Sequence, residues 1–260
     1  MQQQSTRQAQ SSASGNELID AHCHLDMFDD IPTVINDARM GGVRAIITAG
    51  GSRSSSTSAA RIADGISVFA VIGVDPESAQ KDGDFIDEMG QLVDQNRNII
   101  GIGEVGLDYK VGAQKELQKK VFERQIAVAQ QLDVPIVVHS RGAIDDVIDI
   151  VKEHGVSRAM FHFFEGDEKQ AEDMADMGNL ISIPAQESGR RKRIIGNIRI
   201  SSIAAETDSP VVGDSPIDVI KAVEWIAQVK GIDFAQCASA ITENVKKLFG
   251  LWDYDEWMGP

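Results

Sequence analysis

Cysteine is scarce in this sequence, and long apolar runs are absent from it. The chain has 260 residues but only two cysteines, Cys23 and Cys237. Two cysteines cannot build the disulfide framework of a small secreted domain, so we expect a protein of the reducing cytoplasm. No apolar stretch approaches the ~20 residues that a membrane-spanning helix requires. The sequence therefore predicts a cytoplasmic protein that does not cross a membrane.

Positive charge is also in short supply. Lys and Arg number 25 against 40 Asp and Glu, which gives a net charge of −15 at pH 7. This excess argues against a broad electrostatic grip on a nucleic-acid backbone, although it leaves room for a local cationic site. The densest basic cluster is "GRRKR" at 189–193. Any anionic ligand is therefore expected to bind at a small cationic site and not over a broad positive surface.

The first residues lack the features of a targeting signal. The stretch "MQQQSTRQAQSSASGNE" is rich in Gln and Ser and has no apolar core of the kind that a secretory leader needs. Such a composition buries too little apolar surface to fold, so 1–16 are predicted to be a disordered N-terminal tail. Residues 17–260 are predicted to form one domain, of a size that suits a single α/β barrel.

Short runs rich in Val and Ile alternate with longer helical patterns along the chain. The eight runs lie at 17–22, 43–49, 67–74, 98–105, 134–140, 158–164, 179–184 and 199–206. They show little polar alternation, as in parallel strands that are covered on both faces. Helical periodicity is clearest at 115–132, and a pattern at 234–248 extends beyond the eighth unit. Eight such units predict an α/β fold, a single (β/α)8 TIM barrel with an extra C-terminal helix.

An open doubly wound sheet is the alternative arrangement of strands and helices in this order. Such a fold commonly carries a G-x-G-x-x-G phosphate turn after a strand, and no predicted strand is followed by one. The stretch "GIGEVG" at 101–106 has the wrong spacing, and Glu104 would bring a carboxylate against a pyrophosphate. The barrel is therefore favoured.

Histidine is rare in the chain, and its positions are informative. Active sites of (β/α)8 barrels form at the C-terminal ends of the strands. Four of the five histidines and two carboxylates occupy such ends: His22, His24, Glu104, His139, His162 and Asp208. One strand-end histidine alone is more often a core or surface group, but six ligand-type residues at one rim predict a metal site.

Six motifs occur in order over about residues 20–250: "DAHCHLD", "GEVGLDY", "VVHSR", "FHFFEG", "ETDSP" and "TENVKKLFG". Together they resemble the motifs of the TatD family of metal-dependent hydrolases, which are amidohydrolase-like barrels. The family is associated with Mg²⁺-, Mn²⁺- or Zn²⁺-dependent deoxyribonuclease activity, often that of a 3′→5′ exonuclease. The resemblance implies that a DNA 3′ end, or another phosphodiester substrate, binds locally at the rim.

The resemblance also implies a site for two divalent metal ions per chain. His22, His24 and Asp208 would hold one ion. The second ion would be held by His139 and His162. Ligation rich in nitrogen favours Zn²⁺ or Mn²⁺ over Mg²⁺ by intrinsic affinity.

Glu104 would bridge the two ions, because a carboxylate has two oxygens to share. We expect it to lie on the same strand alternation as Ile100 and Ile102. Asp208 would orient or deprotonate the attacking water. Asp208 and Glu104 are thus the candidate catalytic residues.

Three further carboxylates at the rim are candidates for supporting the ligands. Asp26, Asp108 and Glu206 could each orient a histidine N–H group. A rim carboxylate that only forms a salt bridge is the alternative for each.

Four residues are candidates for substrate contact. Arg141 follows His139 by two residues and could grip a phosphate oxygen, and Tyr109 could stack on a base or a sugar. Arg190 and Arg191 lie after strand 7, where barrels often build phosphate sites. Packing for Tyr109 and a solvated helix face for the basic cluster remain open as alternatives.

Three positions depart from the usual pattern of the family. Asp75, in "IGVDP", replaces a histidine that usually follows strand 3, and Glu165 replaces a small polar residue. No Arg-Gly or Asn follows "TDSP". These changes remove phosphate-facing groups or add negative charge, so a deacylase-like amide or ester hydrolase is the alternative function. A binding protein with a relic site is disfavoured by the complete ligand set.

Overall fold

The computed structural model describes residues 17–251, so the predicted tail at 1–16 lies outside the described residues, as do 252–260. Eight parallel strands form one sheet in which each strand pairs with the next in the chain. The strands are Leu18–Cys23 (β1), Val43–Gly50 (β2), Val68–Ile72 (β3), Ile99–Asp108 (β4), Ile136–Arg141 (β5), Ala159–Phe161 (β6), Leu180–Pro184 (β7) and Ile203–Glu206 (β8).

Helices cover the outside of this sheet. They are Ile31–Met40 (α1), Arg53–Ile62 (α2), Ala79–Asp82 (α3), Ile86–Gln95 (α4), Lys115–Leu132 (α5), Ile144–Glu153 (α6), Glu168–Asp176 (α7), Gly189–Asn197 (α8), Val219–Lys230 (α9) and Phe234–Phe249 (α10). Several begin at a side chain that accepts a hydrogen bond from a free backbone N–H of the first turn: Asp30, Ser52, Asp167, Ser188 and Asp233. Between residues 17 and 251, no helix is long and apolar enough to span a bilayer.

The sheet closes on itself between β1 and the segment after β8. The Asp208 N–H donates to the His22 carbonyl at 2.9 Å, and the His24 N–H donates to the Ser209 carbonyl at 2.7 Å. Sequential strand order differs from a doubly wound sheet, in which the order reverses at a switch point. The predicted (β/α)8 barrel is therefore confirmed, and α10 is its extra C-terminal helix.

Apolar side chains form two layers of core, one between the sheet and the helices and one inside the barrel. The inner layer includes Ile19, Ile47, Val71 and Val137, and residues of α10 such as Leu248 pack against it. The Thr242 hydroxyl of α10 donates to the Glu17 carbonyl, just before β1, at 2.7 Å. Thus α10 covers the N-terminal end of the barrel, and the opposite end is left for the functional site.

Strands β6 and β8 fall furthest short of their predicted runs. Strand β6 ends at Phe161 although its apolar run continues to 164, so His162 follows the strand. Strand β8 begins at Ile203, and residues Ile200–Ser202 form a 3-10 turn. Apolar composition predicts burial, but it does not show where the hydrogen bonds to the neighbouring strand stop.

Candidate metal centre

All six predicted ligands meet at the C-terminal end of the barrel. Three lie within strands, His22 in β1, Glu104 in β4 and His139 in β5. His24 and His162 come directly after β1 and β6, and Asp208 is the second residue after β8. Because parallel strands end at one rim, side chains that are far apart in sequence come within a few ångströms of one another.

Four donor atoms form a first cluster. His24 Nε2 lies 3.3 Å from Asp208 Oδ1 and 3.7 Å from Glu104 Oε2. His22 Nε2 lies 3.8 Å from each of the same two oxygens. Donors bound to one ion at about 2.1 Å in tetrahedral geometry lie about 3.4 Å apart, so this spacing suits one ion.

The other oxygen of Glu104 faces a second cluster. Glu104 Oε1 lies 2.5 Å from His139 Nδ1 and 3.0 Å from His162 Nε2, and these two nitrogens are 3.0 Å apart. His22 also lies near this side, because its ring stacks on that of His162 with centroids 4.1 Å apart. It therefore forms a possible ligand group with Glu104 and His162 as well as with His24 and Asp208.

An irregularity in β1 turns His22, and His24 just after the strand, toward the site. The pairing of β1 with β2 shifts between Asp20 and Cys23. Ile19 and Ala21 belong to the inner core, whereas Cys23 belongs to the outer core, so the side-chain alternation changes phase between them. His22 and His24 flank Cys23 and therefore share the face opposite to it.

A similar irregularity in β4 places Glu104. Ile102 and Val105 both pack in the outer core, and the pairing of β4 with β5 gains one residue between them. The expectation that Glu104 shares a strand face with Ile102 is therefore wrong, because a bulge re-aims the side chain, whereas Ile100 packs against the inner core. Gly106 allows β5 to approach here: its φ is +146°, and a Cβ on it would lie 2.0 Å from the His139 carbonyl oxygen.

The backbone of Asp208 adopts the left-handed conformation, with φ +49°. Asp tolerates this region better than most residues with a Cβ. Hydrogen bonds hold it there, since its N–H donates to the His22 carbonyl and its carbonyl accepts from the Val212 N–H at 2.7 Å. The turn after β8 thus aims the carboxylate of Asp208 at His22 and His24.

The donor set fits a divalent ion. Both ring nitrogens of His22 are buried without a hydrogen-bond partner, and leaving buried polar atoms unpaired is costly. Burial lowers the pKa of His22 well below its ordinary value, and His162 adds to this effect. His22 is therefore neutral at pH 7, with a lone pair that an ion can accept.

Charge is concentrated around Glu104. Burial by itself would raise its pKa, but His162 and His139 outweigh burial and hold the pKa well below its ordinary value. Burial likewise opposes protonation of His139, yet the Glu104 and Asp108 carboxylates raise its pKa to about 10. A cluster that attracts protons this strongly is also suited to holding cations.

The three supporting carboxylates lie beside the ligands. Asp108 Oδ2 is 3.6 Å from His139 Nε2. Glu206 accepts the Phe163 N–H at 2.5 Å, its other oxygen is 3.9 Å from His162 Nδ1, and burial raises its pKa to about 7. Asp26 follows His24 in a 3-10 turn, and its buried Oδ1 has no hydrogen-bond partner.

The candidate substrate contacts lie at different distances from the site. Arg141 is exposed, and its guanidinium lies 3.8 Å from Asp108 Oδ2, at the edge of the second cluster. The Tyr109 hydroxyl donates to Asp146, and Lys115 covers its ring, so Tyr109 is engaged in packing.

The two arginines of the basic cluster differ in burial. Arg190 is exposed. Arg191 is buried, donates to the Gln186 carbonyl at 2.9 Å and stacks over the Phe163 ring at 4.2 Å. Arg191 therefore anchors the start of α8, and Arg190 is the one that faces solvent.

A cavity of about 420 Å³ opens over the two clusters. Its carboxylates are Asp26, Asp75, Glu77, Glu104, Asp108 and Asp208. Within residues 17–251, no Lys or Arg lines it. Met27 and Val211 add exposed apolar surface. A substrate bound here meets a strongly acidic wall.

The two acidic departures from the family pattern are placed differently. Asp75 lines the cavity and accepts the Ser78 N–H at 2.7 Å. Burial raises its pKa to about 6, and Glu104 adds to this effect. Glu165 is outside the cavity lining, where it accepts the Gly142 N–H at 2.9 Å and joins two loops. Only Asp75 changes the wall of the site directly.

Comparison with known proteins decides the family. The model of the family described as "TatD related DNase" matches residues 19–250. The chain belongs to the TatD family. It is accordingly a metal-dependent hydrolase of the TatD type, and the family predicted from the motifs is confirmed.

Relatives of this TatD chain match over nearly their full length. Human deoxyribonuclease TATDN3 is 30% identical, with 91% of this chain and 96% of that protein covered. The uncharacterized metal-dependent hydrolase YabD of Bacillus subtilis (strain 168) is 31% identical, with 90% and 99% covered. The crystal structure of the TatD homologue YJJV from Escherichia coli K12 superposes with a TM-score of 0.83 at 23% identity, with 90% and 98% covered. That structure supports the TatD barrel fold.

Sequence reasoning missed Asp20 of this TatD chain. Its fully buried carboxylate accepts hydrogen bonds from the Thr207 N–H and hydroxyl, between β1 and the segment after β8. The signal was present in "LIDAH", where one acid interrupts an apolar strand. A charge in a strand that is buried on both faces needs dedicated partners.

Proposed function

We propose that the chain is a divalent-metal-dependent phosphodiesterase that hydrolyses DNA from a 3′ end. One observation carries the proposal: Glu104 presents Oε2 to His22 and His24, which Asp208 also faces, and it presents Oε1 to His139 and His162. Such an arrangement suits two ions that share one carboxylate. The family and the deoxyribonuclease name of a relative support DNA as the substrate.

In this proposal, His22, His24 and Asp208 would hold one ion, and His139 and His162 would hold the other. The rich nitrogen ligation favours Zn²⁺ or Mn²⁺. When bound, divalent ions polarise a phosphoryl oxygen and lower the pKa of water. Asp208 orients the attacking water and accepts its proton, because its carboxylate lies beside His24 at the floor of the cavity.

The remaining groups position the ligands and the substrate. Asp108 and Glu206 lie 3.6 Å and 3.9 Å from the outer ring nitrogens of His139 and His162, where their carboxylates would orient both rings. Arg141 grips a phosphate oxygen at the edge of the cavity, where its exposed guanidinium is free to move toward substrate. Arg190 meets more distant phosphates from solvent.

The acidic wall favours a second candidate function, hydrolysis of an ester or amide. Asp75 and Glu77 line the cavity, and within the described part of the chain no Lys or Arg lines it to balance them. A polyanion is repelled by such a wall, whereas a neutral or cationic acyl substrate is not. The same ligand set can polarise a carbonyl oxygen instead of a phosphoryl oxygen.

For the chain as a whole, we propose a single hydrolase domain over residues 17–260 that works in the cytoplasm. The free, buried thiols of Cys23 and Cys237 support a reducing compartment.

The test compares substrates and label positions. Full-length protein is stripped with EDTA, reloaded separately with Mg²⁺, Mn²⁺ or Zn²⁺, and given single-stranded DNA that carries a 3′ or a 5′ label. We expect early release of the 3′ label as a mononucleotide and a shortening ladder from the 5′ label, both abolished by EDTA. Parallel reactions contain aminoacyl esters and acetylated peptides.

The outcomes are distinct. Absence of EDTA-sensitive DNA cleavage with every metal would contradict the nuclease proposal. Metal-dependent release of the acyl group in the parallel reactions would then establish the second candidate. Cleavage that starts inside the strand would overturn the 3′ polarity alone.

A further inference from the structure

A second cavity lies at the end of the barrel opposite to the metal centre. It has a volume of about 430 Å³ and lies where β6, β7 and β8 begin, next to α10. Arg158, which lines it, precedes β6, whereas His162 follows that strand. Four residues of extended chain separate the two positions by about 13 Å. This cavity is therefore distinct from the metal site.

All charged side chains that line this cavity are cations, namely Arg158, Arg199 and Lys247. Asp133 pairs with Arg158 at 2.8 Å and Asp176 pairs with Arg199 at 3.4 Å, but neither carboxylate lines the cavity. Among residues 17–251, Lys247 has no ion-pair partner. The chain as a whole has a net charge of −15, so this cavity is locally positive in a protein that is otherwise acidic.

Neutral hydrogen-bond donors line the same cavity. Ser157, Ser201 and Ser202 line it, and within the described chain their hydroxyls form no hydrogen bond with another residue. The wall behind them is fixed, because Asn244 Nδ2 donates to the carbonyls of Ile200 at 2.7 Å and Ile203 at 2.9 Å. Hydroxyls and cations held on a rigid wall are suited to an oxyanion.

Apolar surface completes the cavity. Leu180 and Leu248, both largely buried, line it together with the polar groups. A bare phosphate ion would leave this surface exposed to water, while the organic part of a phosphate ester would cover it. The volume is also larger than one phosphate group requires.

We propose that this cavity is a binding site for a small phosphate monoester. The guanidinium groups of Arg158 and Arg199 form paired hydrogen bonds to phosphate oxygens, and Lys247 supplies a third charge. The serine hydroxyls donate to the remaining oxygens. The apolar side chains contact the organic part of the ligand.

The experiment measures binding to the full-length protein by isothermal titration calorimetry. EDTA is present so that metal ions do not draw phosphate to the catalytic end. The probes are dAMP, inorganic phosphate and deoxyadenosine. We expect saturable binding of dAMP, weaker binding of inorganic phosphate, and none of deoxyadenosine.

Variants assign the binding to this cavity. Arg199→Ala combined with Lys247→Ala is expected to weaken dAMP binding at least about tenfold, since two charged contacts are lost. Arg97→Ala combined with Lys120→Ala removes the same charge from exposed positions outside the cavity and should change binding less than about twofold. DNA cleavage by the Arg199/Lys247 variant should equal that of the wild type, which separates this test from that of the proposed function.

Three results would overturn the proposal. Equal weakening in both double variants would show attraction to net charge alone. Failure of dAMP and phosphate to saturate by about 10 mM would show that no site exists. The segment at 252–260 carries Asp253, Asp255 and Glu256. If dAMP binds only after this segment is deleted, the cavity serves the acidic segment of the chain itself and not a soluble phosphate ester.

Discussion

The Thr207 hydroxyl donates a 2.6 Å hydrogen bond to Asp20 Oδ2, and the Thr207 N–H donates to Oδ1 of the same carboxylate at 2.9 Å. This pair joins β1 to the segment after β8, two residues before His22 and one before Asp208. Asp20 is fully buried, and burial raises its pKa well above the ordinary value. The pair that closes the barrel therefore also positions two ligands of the first cluster.

Replacement of Thr207 by valine should destabilise the protein by about 1–3 kcal/mol, because Asp20 Oδ2 loses its donor in a buried site. Urea denaturation of the metal-free protein measures the change. Thr57→Val is the matched control, since among residues 17–251 the Thr57 hydroxyl bonds only to the Arg53 carbonyl of its own helix. The control should stay within about 0.5 kcal/mol of the wild type. Equal losses in the two variants would remove any special role from the Asp20–Thr207 pair.

Glu104→Gln should lower both metal content and turnover, because the amide keeps the shape of the side chain but loses the shared negative charge. We expect fewer than two ions per chain by elemental analysis and a fall in kcat of more than about 100-fold. Glu165→Gln serves as the control, since Glu165 lies outside the cavity lining and bonds to the Gly142 N–H. A Glu104→Gln enzyme with two ions and full activity would exclude bridging.

Asp75 should make the stability of the metal-free protein depend on pH. Its pKa of about 6 in the folded protein lies above the usual value of about 3.9, so the folded state binds the proton more tightly than the unfolded state. The resulting stabilisation is present below about pH 4 and is lost as the pH rises through about 6. Asp75→Asn keeps an oxygen for the Ser78 N–H and removes the titration. Relative to the wild type, this variant should therefore gain stability between pH 4 and pH 7 in urea denaturation.

Asp64 provides a control of opposite sign for this pH dependence. Burial opposes its ionisation, but hydrogen bonds from Val68, Ile66 and Ser67 lower its pKa overall. Its stabilisation is present above the unfolded pKa and is lost as the pH falls. Asp64→Asn should thus become less stable, relative to the wild type, as the pH rises from 2 to 6. The same trend with pH in both variants would contradict the assignment for Asp75.

Arg141→Ala should raise KM for DNA by about three- to tenfold with little change in kcat, as expected for a contact made equally in the ground state and the transition state. Steady-state kinetics at constant ionic strength measures this split. Arg193→Ala removes an exposed arginine that pairs with Glu168 away from the cavity, and it should leave KM unchanged. An unchanged KM in Arg141→Ala would show that Arg141 contacts Asp108 but does not contact the substrate.

Replacing the two arginines after β7 one at a time should change the stability of the protein by different amounts. Arg191→Ala removes a buried side chain that bonds to Gln186 and stacks on Phe163, and it should destabilise the protein by about 1–3 kcal/mol. Arg190→Ala changes an exposed side chain and should stay within about 0.5 kcal/mol of the wild type. Comparable losses would show that burial does not distinguish these neighbours.

The sequence by itself determined the barrel and the set of candidate ligands. Eight buried strands alternating with helices have one compact closed arrangement, and its strands end at one rim. His22, His139 and His162 can therefore be grouped from the sequence, because strand-end position depends on chain order and not on detailed packing.

Tertiary structure decided how those residues are aimed. The register shifts in β1 and β4 reverse the side-chain alternation, so Glu104 faces the site although Ile102 packs outward. A bulge arises from pairing with neighbouring strands, which an apolar pattern of period two does not encode. Likewise, the sequence does not distinguish Arg190 from its neighbour Arg191. Only the packing of Arg191 against Phe163 and Gln186 shows that Arg191 is buried and Arg190 is exposed.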